Sequence, residues 1–219
     1  MRIMLVDHCP LQSREGEALR SLASKLRTAG YEVQSLVAGR QSESNPAGNM
    51  MICNSDDPQA DFPLDMPVFS SSEGNLRFSD LTDAQIAEYR EAWRRALERS
   101  VAEFNPDLIH CLHLRLPAHA ALETGVPYVA TVAAPESDAS RDDPRYRRFV
   151  EQAAQNAGRI LAVDDATRQR LLSQMPELAG RIVAMPFVAG ADNEVGRLQV
   201  ERTVEIYSQV LSERRGVIQ

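Results

Sequence analysis

The residues able to do chemistry in this chain gather where its apolar runs end. His110, Cys111 and His113 close the run begun by Leu108 and Ile109, and His119 follows on the next helix-forming segment. Nitrogen and sulfur donors this close together raise the question of a metal. Successive strand residues point to opposite faces, so only Cys111 and His113 are expected to converge, with His119 as a third candidate from the helix. Two ligands do not make a zinc site, and no metal is expected; His110 and His113 read instead as strand-end histidines facing a cleft. A second set, Asp7, His8 and Arg14, follows the first apolar run, where a guanidinium can grip a phosphate or carboxylate through two parallel hydrogen bonds. Gly16 ends the same corner and lets backbone amides approach an anion. Glu136 and Asp138 lie in a third strand-end loop and can accept hydrogen bonds from hydroxyl groups. Ordinary solvated loops are the plain alternative for the second and third sets. No Ser-His-Asp or Cys-His arrangement can be defended from spacing, because such partners meet in space rather than in sequence, so no catalytic residue is assigned.

These residues need a scaffold, and the chain supplies one in alternating strands and helices. Residues 106–132, PDLIHCLHLRLPAHAALETGVPYVATV, read as a strand, a polar turn, a short helix closed by Gly125, and a second strand rich in β-branched residues. That βαβ unit implies a parallel sheet covered by helices on both faces, with ligands at the carboxyl ends of its strands, in the turns that begin at His110 and Ala133. Residues 2–6 and 31–37 read as two more strands around a helix at 17–29 that Gly30 caps, with the corner at residues 7–16 facing an anion. Brief strands are expected at 50–53 and 66–71. A long helix ending near Phe104 carries the stripe Ile86, Tyr89, Trp93, Leu97, Val101 and Phe104, with Thr82 among its candidate caps. Arg90, Arg94, Arg95 and Arg99 fall mostly off that stripe; interleaved with Glu88, Glu91 and Glu98 they make a solvated face, the alternative being a basic patch for anionic lipid or phosphate. A helix opening at Pro144, a strand at 159–163, a helix over 166–175 capped by Asp164 or Asp165, a strand at 181–187 and a last helix at 195–215 complete the series. The fold class is α/β, a Rossmann-like three-layer domain with a mostly parallel sheet and a long C-terminal helix packing back on it.

Composition narrows the function classes. A length of 219 residues with 43% hydrophobic content suits one sizeable core, and a net charge of −7 argues against nucleic acid as a partner, since phosphate binding needs concentrated basic surface. Cys9, Cys53 and Cys111 lie near strand ends without the spacing of a disulfide framework, which fits reduced thiols and a cytoplasmic protein. The start MRIMLVDH meets an acid too early for a signal peptide, and no transmembrane run occurs, so any membrane contact is expected to be peripheral. No cofactor is expected, because the first βαβ unit lacks a G-x-G-x-x-G run with a later acid.

The passage at 106–132, followed by DPRYRRFVEQAAQNAGRILAVDDATRQRLL and GRIVAMPFVAGAD, resembles the amino-terminal, acceptor-side domain of family 4 retaining glycosyltransferases of the GT-B fold. Those enzymes carry a PD-V-I-H-x-H strand, a G-x-P-x-V-x-T-x-H-G strand and turn, an A-D-x-x-x-A-V-S strand and cap, and a P-N-G-V-D linker. The likeness spans most of residues 105–192, with weaker support at 1–37, and aligns His110 with the family's first histidine and Asp164 with its serine cap. RTVEIYSQVLSERRG resembles the family's final helix, which returns to the amino-terminal domain. The resemblance implies residues 1–190 as one domain, residues 191–219 as a linker and returning helix, and no donor-binding domain between them. Ala133-Ala134 stands where the family carries His-Gly, and a methyl cannot donate a hydrogen bond to a sugar or phosphate oxygen. The family's paired glycines after the first strand are reduced to Gly16. What the resemblance implies is the acceptor-side half of a split glycosyltransferase of glycan or glycoconjugate biosynthesis, inactive alone, that takes a sugar or glycoconjugate acceptor. It would pair with a donor-domain protein or with a second copy of itself. The alternative is a non-catalytic sugar- or nucleotide-binding scaffold. Substrate contacts would come from His8, Arg14, Gly16, His110, His113 and Glu136.

Overall fold

The computed structural model describes residues 1–9, 14–39, 48–52, 60–65, 67, 76–133, 143–185 and 194–217. Its strands are β1 (Arg2–Asp7), β2 (Glu32–Gly39), β3 (Gly48–Ile52), β4 (Leu108–Cys111), β5 (Tyr128–Val132), β6 (Arg159–Ala162) and β7 (Ile182–Ala184). They form one sheet in the order β3-β2-β1-β4-β5-β6-β7, and every pairing is parallel. Its helices are α1 (Arg14–Thr28), α2 (Asp83–Phe104), α3 (Leu116–Glu123), α4 (Pro144–Asn156), α5 (Asp165–Gln174) and α6 (Glu194–Val217). The strand order reverses direction between β1 and β4, which makes their carboxyl ends the switch point of a doubly wound sheet.

Strand alternation divides the core into two layers. Met4, Val6, Leu36, Ile109, Cys111, Ala130 and Ile160 join the α2 and α4 face, whereas Ile3, Leu5, Val37, Leu108, Val129 and Leu161 meet residues of α1 and α6. The α2 stripe enters the first layer, with Tyr89, Trp93 and Leu97 fully buried. Phe62, Phe78 and Trp93 each set an edge against the Tyr89 ring, the geometry aromatic quadrupoles favour. The second layer seats α6 through Val200, Ile206, Tyr207 and Val210. Arg159 Nη1 donates to Glu213 at 2.9 Å, and Arg214 donates to the Gly125 carbonyl at 2.7 Å.

Local signals explain most boundaries. Gly30, at φ +87°, ends α1, and Gly125, at φ +74°, follows α3. Thr82 and Gln85 form a reciprocal capping box on α2. Pro144 occupies the first turn of α4, and Asp164 Oδ1 accepts from Thr167 N at 2.6 Å at the head of α5. One expectation is corrected here: α1 starts at Arg14 rather than at residue 17, so Gly16 lies buried in its first turn instead of in the preceding loop. The strand expected at 66–71 falls almost wholly outside the described residues. The α2 arginines are ion-paired, Arg94 with Glu91 and Glu98, Arg90 with Glu123 and Arg99 with Asp61, which is the solvated face rather than a free basic patch. No described helix is long and apolar enough to cross a membrane.

Candidate functional site

The turns leaving β1 and β4 meet at the switch point. Asp7 is the last residue of β1, and the chain bends at His8 and Cys9. The Asp7 carboxylate fixes that bend by accepting from Cys9 N at 2.9 Å through Oδ1. Across from it, β4 ends at Cys111, and His113 returns toward β1 with its Nε2 at 3.2 Å from Asp7 Oδ1 and 3.8 Å from Cys9 Sγ. His8 Nε2 lies 3.5 Å from the same sulfur, and the two imidazoles meet edge to face with centroids 4.4 Å apart. Asp7 and His8 are buried, while Cys9 and His113 are partly open.

Burial dominates the electrostatics. It holds His8 well below the ordinary histidine pKa, with the positive fields of His113 and Arg115 adding in the same direction. Arg115, the residue that precedes α3, is buried beside this cluster, and desolvation lowers its pKa to about 9 against the opposing pull of Cys9 and Tyr89. The edge thus combines one carboxylate, one thiol, two imidazoles and a guanidinium around the point where a doubly wound sheet presents its ligand crevice.

Of the residues singled out from sequence, His8 and His113 are brought together, with Asp7 beside them. His110 is a correction. It is fully buried rather than cleft-facing, with Nδ1 at 2.6 Å from the Tyr207 hydroxyl and Nε2 at 2.8 Å from Thr131 Oγ1. The cause is α6, which covers the face of β4 on which His110 stands. Burial alone lowers its pKa to about 3. Cys111 packs in the opposite core layer, where burial pushes its thiol up, and His119 bonds Gln152 at 2.9 Å while packing on Phe149. Neither joins His113, so the convergence expected of Cys111 and His113 is overturned, and Cys9 supplies the sulfur instead. The side chain of Arg14 and all of Glu136, Asp138 and Cys53 lie outside the described residues; Ala133 ends the described part of the turn after β5. Cys9 is the residue that sequence reasoning passed over. Its signal was present in Asp7-His8-Cys9, three donor-bearing neighbours at a strand end, where strict alternation no longer holds.

Two surface pockets lie away from this edge. One of about 340 Å³ sits between α2 and α4 around Arg90 and Phe149, and one of about 390 Å³ opens near Tyr128 and Arg159, at the amino ends of β5 and β6. In parallel α/β sheets ligands sit at the opposite, carboxyl edge, which favours the switch-point cluster.

Fold and site together define a doubly wound α/β domain of the kind from which GT-B proteins are assembled. The chain belongs to the glycosyl transferase 4-like domain family, whose model matches residues 16–187. No curated protein sequence matches it significantly. Among solved structures, the UDP-GlcNAc 2-epimerase of Methanocaldococcus jannaschii is similar with TM-score 0.54 and 11% identity over 94% of this chain and 50% of that one. The UDP-GlcNAc 2-epimerase of Neisseria meningitidis bound to UDP-GlcNAc gives TM-score 0.54 at 8% identity, over 98% of this chain and 52% of its own. The lipopolysaccharide outer core galactosyltransferase WaaB in its apo form gives 0.53 at 9% identity, over 84% and 45%. The chain spans about half the length of these structures, and at such identities the likeness is one of fold.

Proposed function

We propose that this domain is the acceptor-side half of a two-component GT-B glycosyltransferase of glycan or glycoconjugate synthesis, with the donor half supplied by a second polypeptide. The observation that carries the reading is the connection between β7 and α6, which consists of residues 185–193 alone. A Rossmann donor domain needs on the order of 100 residues, so none is inserted there. The packing of α6 against Leu161 and Val129 supports its role as a returning helix, with residues 1–190 and 191–219 serving one unit. Transfer in this class rests on holding donor and acceptor in one cleft and stabilising the leaving phosphate. Half of that cleft orients an acceptor and does little else. His113, partly open at this edge, would line the acceptor's approach, with Arg14 and Glu136 as further contacts, whereas His8 and Gly16 are buried and would support the edge from beneath. A donor-half protein is the partner this reading favours over a second copy of the chain.

A second reading, a non-catalytic sugar- or nucleotide-binding scaffold, is favoured by one observation: His110, aligned with the family's first histidine, is locked between Thr131 and Tyr207. A thermal-shift experiment separates the two. An acceptor-side half alone should show no change in Tm with millimolar UDP or UDP-GlcNAc, because ligand binding to the folded state would raise it. A clear rise with either nucleotide contradicts the acceptor-side reading.

A further inference from the structure

We infer that Asp7, His8, Cys9 and His113 form a four-ligand site for a zinc-class divalent cation that clamps the β1 turn to the β4 turn. The inference stands apart from the transfer reading and needs no sugar chemistry. One carboxylate oxygen, two imidazole nitrogens and one thiol sulfur, all within 4.8 Å of one another, supply four donors. Tetrahedral zinc with ordinary bond lengths places nitrogen and oxygen ligands about 3.3 Å apart, and nitrogen and sulfur ligands about 3.5 Å apart. Three of the six separations are 3.2 Å for His113 Nε2 to Asp7 Oδ1, 3.5 Å for His8 Nε2 to Cys9 Sγ and 3.8 Å for His113 Nε2 to Cys9 Sγ, and the others stay within 4.8 Å. His113 Nε2 faces an oxygen and a sulfur at once, and His8 Nε2 faces that same sulfur.

An independent observation points the same way. Asp7 is 1% exposed, and among the described residues its Oδ2 is buried without a hydrogen-bond partner. Oδ1 is matched by the Cys9 amide and faces His113 Nε2, so it is the charge left on the dry Oδ2 that calls for a cation at this four-donor site. The donor set also selects the metal class. A mixed nitrogen, sulfur and oxygen shell suits zinc, whereas calcium and magnesium take oxygen ligands. Four protein ligands leave no open position, so the ion holds structure. It joins segments 104 residues apart and fixes the edge at which the crevice opens.

The test uses the full chain without an affinity tag, stripped of metal and then dialysed against Zn²⁺ alone or Co²⁺ alone. One equivalent of Zn²⁺ per chain is expected, with Tm rising by about 5–10 °C at a hundredfold excess over Kd. Co²⁺ should give tetrahedral d–d bands and a thiolate-to-cobalt charge-transfer band. Cys9→Ser and His113→Ala should each weaken Zn²⁺ binding by about 100-fold or more while matching the metal-free wild type in circular dichroism, and Cys9→Ser should abolish the charge-transfer band. His119→Asn should bind as the wild type does. Substoichiometric Zn²⁺, or full binding retained in both Cys9→Ser and His113→Ala, overturns the assignment. If either variant fails to fold, the charge-transfer band of the wild type decides, and its absence is equally fatal.

Discussion

At His110 two hydroxyls, those of Thr131 and Tyr207, hold an imidazole that water does not reach. Tyr207→Phe removes the partner of one ring nitrogen without changing the shape of the core, so it should lower unfolding free energy by about 1–3 kcal/mol in urea titrations; an unchanged midpoint would deny the bond a role. Because burial carries this histidine's pKa from 6.5 down to about 3, the unfolded chain takes up a proton before the folded one does. The associated stability is intact above pH 6.5 and is lost as the pH falls toward 3, at up to about 1.4 kcal/mol per pH unit. His110→Asn should flatten that slope, while His8, lowered in the same direction, maintains part of it. Equal slopes in wild type and variant would show that His110 titrates normally.

Among the elements, α6 is seated by a glycine. A Cβ added at Gly158 would lie 2.5 Å from Val210 Cγ1, and Val210 is too stiff at χ1 to swing aside. Gly158→Ala should therefore cost about 1–3 kcal/mol of stability. Most of that should return in Gly158→Ala combined with Val210→Ala, and strict additivity of the two changes would contradict the contact. At the head of α5, Asp164→Ala should cost about 1 kcal/mol, read from the denaturation midpoint, because it frees the Thr167 amide. These element-level features were largely legible in the sequence. Strand alternation, the glycine at position 30, the Thr82 cap, the proline at 144 and the Asp164 cap are local signals, and local chemistry sets them. The docking of α6 was legible only as a family likeness, and its consequence for His110 was not. Which face a distant helix covers depends on sheet order and chain connection, and neither is written in the pattern around residue 110. The same holds for Cys9 and His113, whose meeting is decided by β1 lying next to β4.

For the molecule as a whole, the seven parallel strands of the described residues, a switch point rich in donor atoms and a helix that packs back after residues 185–193 describe a glycosyl transferase 4-like domain of GT-B type. On the proposed reading, such a domain would position one substrate, and the chemistry would depend on a nucleotide-sugar held opposite. The most direct measurement is nucleotide release from labelled nucleotide sugars and a glycoconjugate acceptor, with the purified chain alone, with a separately encoded donor-half protein alone, and with the two mixed. The account predicts release and a sugar-bearing product in the mixture only. Turnover by this chain alone, or none from the mixture despite a stable complex of the two proteins, would contradict it.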